Sequence, residues 1–178
     1  MMIRESRHDV SENHPLRRLF LTLAERGMIQ QVYRDPQTMK YLADLLTEFV
    51  HRDNINRITA SDGARLQYFA DMFAQASAQM LPQIRRAHFK HIGDLALFQL
   101  GLFPEHLTYG RRLVSPSYYA AQERRSYSIA AESEYDRDTV VLRKLSDHFE
   151  ECVAALNWVH TYIRDPFFQY MFREFDIT

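Results

Sequence analysis

Three times in this chain a residue able to cap a helix stands directly before a proline: Asp35-Pro36, Ser115-Pro116 and Asp165-Pro166. A short side-chain oxygen accepts one of the orphan amide N–H groups of a helix start. Proline at the next position has no N–H to lose, and its φ already suits the first turn. His14-Pro15 offers a fourth start, with Ser11 and Asn13 as nearby caps. Strands have no comparable signal, because sustained apolar–polar alternation and Asn-Gly turns are both missing. The chain holds only five glycines and six prolines, so they punctuate helices rather than hairpins.

The apolar residues between these starts recur at the i, i+3, i+4 spacing of one helix face. A helix over 15–33 aligns Leu16, Leu19, Phe20 and Leu23, and one over 36–53 aligns Met39, Leu42, Leu46, Phe49 and Val50. After the polar turn "NINRITASDGA", a third over 64–79 carries Leu66, Phe69, Ala70 and Phe73. A fourth covers 82–101, ended by Gly101 and "GLFPE", followed by helices over 116–132 and 138–164. A short terminal helix, "PFFQYMFREF", closes the chain. The expectation is an all-α fold, a compact single-domain bundle of six to seven helices over 1–178. Residues 1–13 are expected to form an N-terminal arm and 165–178 a docking C-terminal helix.

Composition bounds the function classes. A chain of 178 residues suits one domain and buries about 70% of its unfolded surface. The formal net charge is −1, which offers no electrostatic footprint for a nucleic-acid backbone or an acidic membrane surface. The least interrupted apolar run, Leu95 to Phe103, is far shorter than the roughly 20 residues that span a bilayer. The N-terminus "MMIRESRHDVSENHP" has no apolar core of a secretory signal, so the expected compartment is the cytoplasm. Cys152 is the only cysteine and forms no internal disulfide.

The polar residues that share a face with the core are the candidates for chemistry. Over 82–101 a helical projection puts His88 and His91 in line with Ile84, Leu95 and Phe98, with Asp94 on the flank. Asp94 follows Gly93 and precedes "LALF", so it should be semi-buried, and a buried carboxylate needs a partner. His91, three residues earlier, or an arginine from another helix would serve. Gly93, opposite the stripe, suggests close approach of another helix. Over 138–164 the stripe of Val141, Leu145, Cys152, Ala155, Val159 and Ile163 includes His148. Packed together, His88, His91, Asp94 and His148 would make a transition-metal site of the kind bundles build between facing helices. The plainer reading is satisfied core histidines, and no cofactor is required.

Glu48-Phe-Val-His51 matches the Glu-x-x-His pattern of carboxylate-bridged di-iron bundles, but the projection turns Glu48 away from its stripe, toward water. Cys152 one turn from His148 could be a nucleophile, yet its neighbours Phe149, Val153 and Leu156 point to a buried structural thiol. No Gly-rich phosphate loop or Ser-His-Asp pattern occurs, so an enzyme is not the favoured reading.

Two clusters point to partners. In "SPSYYAAQERRSYSIAAES", Tyr118, Tyr119 and Tyr127 share a helix with Arg124 and Arg125, and aromatic-plus-arginine surfaces are typical of interface hot spots. In "PFFQYMFREFDIT", Phe168, Met171, Phe172 and Phe175 form a stripe on a helix too short to stand alone, which must dock on its own domain or across a homodimer interface. The expected function is therefore non-enzymatic binding by a homodimer, with a protein or small apolar ligand as partner. The metal site is the alternative.

The runs "YLADLLTEFV" at 41–50, "HIGDLALFQLGLFPE" at 91–105 and "LRKLSDHFEECVAALNWV" at 142–159 resemble those of a family of small all-helical bacterial proteins. The resemblance spans most of the chain. It implies a helical bacterial protein and transfers no catalytic or binding residue.

Overall fold

Asp35 shows how the sequence writes its own helix starts. Its Oδ2 accepts the Thr38 amide N–H and the Thr38 hydroxyl, both at 2.9 Å, so the carboxylate caps the helix that Pro36 opens. The computed structural model describes residues 15–51, 62–103, 116–132 and 138–163. Seven helices run through them in the order α1 (Pro15–Gln30), α2 (Pro36–His51), α3 (Asp62–Ser77), α4 (Pro82–Leu102), α5 (Pro116–Ala130), α6 (Thr139–Asp147) and α7 (Phe149–Ile163). No strand occurs among the described residues, and the architecture is the expected all-α single-domain bundle. None of these helices is long and apolar enough to cross a membrane.

α4 is the central rod. From Phe89 to Leu102 nearly every residue is buried, because α3, α5 and α7 all pack against it. α1 lies between α2 and α7. Two glycines let helices approach α4 closely. A Cβ at Gly93 would lie 2.9 Å from the ring of Tyr127 on α5, and one at Gly101 would run into the side chain of Leu156 on α7. Gly101 was expected to end α4, but the helix runs one residue past it. Its hydrogen atom is needed for packing rather than for termination.

Three features differ from the expected ones for local reasons. α1 stops at Gln30, and Val32 takes φ 61°, an unusual value for a β-branched residue. That conformation turns the chain so that Tyr33 N–H reaches back to the Met28 carbonyl at 3.2 Å. The single helix expected over 138–164 is divided at His148, whose φ −119° and ψ 35° are not helical. Hydrogen bonds still pass across the break, from His148 N–H to Lys144 C=O and from Cys152 N–H to His148 C=O. The imidazole at the break stacks on Tyr33 with ring centroids 3.9 Å apart.

The third difference concerns which side of α4 faces inward. The expected stripe begins at Ile84, but Ile84 is exposed and the buried stretch begins with Phe89. Arg86, one of the early residues of α4, instead donates from Nε to the carbonyl of Ala130 at 2.9 Å, tying down the C-terminal end of α5.

Candidate functional site

The projection places Asp94 on the flank of the apolar stripe, semi-buried, and the fold buries it to 7% exposure. Its partners come from three helices. Tyr41 on α2 donates its hydroxyl to Oδ1 at 2.5 Å, and Tyr127 on α5 donates to the same oxygen at 2.8 Å. Lys90, one turn earlier on α4, donates from Nζ to Oδ2 at 2.9 Å. The Lys90 ammonium also stands 5.1 Å from the centroid of the Tyr41 ring, and the two tyrosine rings meet edge to face at 6.4 Å.

The electrostatics follow from this arrangement. Burial raises both tyrosine hydroxyls well above their ordinary range, and the negative charge on Asp94 raises them further, so both remain proton donors. Burial alone would lower Lys90. The Asp94 charge and hydrogen bond outweigh it and raise Lys90, with a further contribution from Glu48. Glu48 is only partly exposed, so the expectation that it faces water is corrected: it lies close enough to bear on Lys90.

The partners of Asp94 are therefore two phenols and a lysine, not the arginine or the His91 contact expected. The sequence did hold one clue. Lys90 and Asp94 stand at i and i+4, a spacing that lets the two charges meet on one helix face. The tyrosines are separated from Asp94 by 53 and 33 positions, and no local rule connects them. Chemically, the cluster holds a carboxylate whose two oxygens are both engaged by protein donors. It cross-links α2, α4 and α5.

The four candidate metal ligands are not brought together. Among the described residues no group of three or more His, Cys, Asp or Glu side chains could hold a metal ion. His88 and His91 are partly exposed on the less buried half of α4. The His148 side chain is 38% exposed at the helix break, with Nδ1 3.4 Å from Glu151 Oε1. The three rings do not form the core layer expected. The projection failed at His148 because it assumed one continuous helix.

Cys152 is fully buried, as expected for a structural thiol. Burial pushes the thiol up to about 12, helped by the charges of Glu151, Asp35 and Glu150, so the thiolate needed for nucleophilic attack does not form near neutral pH.

The partner-facing candidates separate. Tyr127 leaves that group, since its side chain is wholly inside the core, against Gly93 and Asp94. Tyr118 and Tyr119 lie on α5, but their side chains are outside the described part of the structure. Phe168 and Phe172 lie outside the described residues altogether, as do the expected N-terminal arm and the terminal helix. Arg124 is exposed and lines a groove of about 520 Å³ between α5 and α6, with Ala121, Arg125, Ser128, Ser146 and Asp147. Residues 121, 124, 125 and 128 recur at helical spacing and form the α5 wall. Ser146 joins the walls by donating its hydroxyl to the Arg124 carbonyl at 3.0 Å. Arg124 faces Glu150 at 3.8 Å, and both side chains are more than half exposed.

No family model matches the chain, and neither a curated protein nor a solved structure matches it.

Proposed function

We propose that this protein is a non-enzymatic, cytoplasmic binding protein of bacterial type that acts as a homodimer and meets its partner on the outer face of α5. The observation that carries this reading is the groove between α5 and α6, where Arg124 and Arg125 are both exposed beside three small side chains. Exposed guanidinium groups beside a concave surface suit the recognition of a second protein, because a planar fork pairs with carboxylates in a defined geometry.

The buried groups favour the same reading. Asp94 has both oxygens engaged by Tyr41, Tyr127 and Lys90, and the Cys152 thiol is held protonated. Neither is available to act on a substrate. The dimer rests on the sequence of the terminal stripe Phe168, Met171, Phe172 and Phe175, which needs a surface to cover it.

Sedimentation velocity over a wide concentration range tests the dimer, and a strictly monomeric species removes it. Elemental analysis of the purified protein tests the non-enzymatic reading. Stoichiometric iron, zinc or manganese, lost on His91→Ala or His148→Ala, would replace it with the metal-dependent alternative.

A further inference from the structure

We infer that the α5–α6 groove takes an acidic peptide segment of a partner protein, whose carboxylates displace Glu150 from Arg124 and fork onto Arg124 and Arg125. The inference rests on the reading of α5 as the binding face and names the chemistry that face would recognise.

Four observations carry it. Arg125 is exposed and, among the described residues, has no ion-pair partner. Among the described residues the Arg124 guanidinium is held only by Glu150 at 3.8 Å, across a gap too long for a direct hydrogen bond, and both groups are mostly in water. An exposed pair of that kind contributes little, so an incoming carboxylate with better geometry can replace it. Ser128 and Ser146 line the same groove. Ser146 is already committed to the Arg124 carbonyl, which leaves the Ser128 hydroxyl as the donor one turn from Arg124.

The charge pattern selects among anions. Asp147 lines the groove and Glu150 stands at its edge. A nucleic-acid strand carries a phosphate at every step and would set its charges against both acids. A peptide can put carboxylates opposite the arginines and backbone N–H groups opposite Asp147. A free phosphate ion in so open a groove would meet screened charges and little else. Protein recognition through localised carboxylates escapes both objections.

The test is fluorescence anisotropy of the full-length protein with a labelled, end-blocked peptide bearing adjacent glutamates, beside the same peptide with glutamines. Saturable binding of the glutamate peptide alone is expected, weakening as salt is raised. Each of R124A and R125A should weaken it by about three- to ten-fold, and R125K by less, because charge survives while the fork is lost. E150Q should tighten it by about two- to five-fold, since a competing carboxylate is removed. All three side chains are at the surface, and unchanged circular dichroism will show that the fold is kept in each variant.

Equal binding of the two peptides, or no saturable binding, overturns the inference. So does tighter binding of a labelled oligothymidylate or of inorganic phosphate, and so does an E150Q affinity equal to that of the parent protein. Loss of dimerisation in R124A or R125A would assign the groove to a second copy of this chain instead. A negative peptide result with a metal-free dimer removes this inference and leaves the non-enzymatic reading standing.

Discussion

The hydroxyl of Tyr127 reaches Asp94 Oδ1 at 2.8 Å, from a ring lying where a side chain at Gly93 would have to be. One residue of α4 supplies the acceptor and the residue before it supplies the space. The aromatic ring can enter the core only because both are present. Tyr41 closes the same oxygen from α2, so the relative position of three helices is set around one carboxylate.

Replacing Asp94 by leucine would strand two phenol hydroxyls and an ammonium group. We expect Asp94→Leu to cost about 3–5 kcal/mol, the penalty of breaking a buried charged cluster by removing one side. Tyr127→Phe should cost about 1.5–3 kcal/mol, since one hydrogen bond to a charged acceptor is lost. Because Tyr41 and Tyr127 share Oδ1, Tyr41→Phe combined with Tyr127→Phe should depart from additivity. Urea denaturation of the four variants checks these values. A loss below about 1 kcal/mol for Asp94→Leu would show that the cluster does not hold the helices together.

Gly93→Ala sets two effects against each other. Alanine gains up to about 1 kcal/mol in helix propensity, while a Cβ 2.9 Å from the Tyr127 ring overpacks the core. The ring is fully buried and held by its hydroxyl, so it has little freedom to give way. We expect net destabilisation of about 1–3 kcal/mol, the usual range for overpacking. A thermal midpoint equal to or above that of the parent protein would refute this.

Alkaline pH should weaken the same cluster. The hydroxyls of Tyr41 and Tyr127 lie above their unfolded value of 10.0, raised first by burial and then by Asp94. A raised folded value means that the stabilisation is complete below about pH 10 and fades as the pH climbs toward the folded values. Tyrosinate absorbance followed with circular dichroism checks this. These two tyrosines should ionise only as helix content is lost. Ionisation of all ten tyrosines near the ordinary value with the helices intact would contradict it.

Asp35 has the opposite sign. Burial alone would raise its carboxyl, but the Lys144 Nζ contact at 2.5 Å and the two hydrogen bonds from Thr38 outweigh that and hold it below 3.8. Its contribution is present above the unfolded value and disappears as the pH falls through the lower folded one. Asp35→Asn keeps a capping oxygen and loses the ion pair. The parent protein should therefore be more stable than the variant near neutral pH, with the gap closing in acid. A gap that stays constant with pH would show that Lys144 contributes nothing through charge.

Local signals stated the helices well. The Asp35-Pro36 start is read correctly because capping is a contact between neighbours, and the stripe of Leu42, Leu46 and Phe49 is buried because one face of a helix must be. The apolar period misplaces His148 for a physical reason. Sequence period alone does not register a kink, and the kink turns the imidazole from the core toward Tyr33 and solvent. The role of Tyr127 is not legible locally, because a tyrosine beside two arginines looks the same whether it faces a partner or a carboxylate 33 positions away.

What the amino-acid order determined by itself is everything that acts over one or two turns: where helices begin, which faces are apolar, and that Asp94 must find company inside. Which groups provide that company was decided only when α2, α4 and α5 came together. Hydrogen bonds depend on atoms meeting within about 3 Å, and for residues far apart in the chain that distance is set by the packing of whole helices.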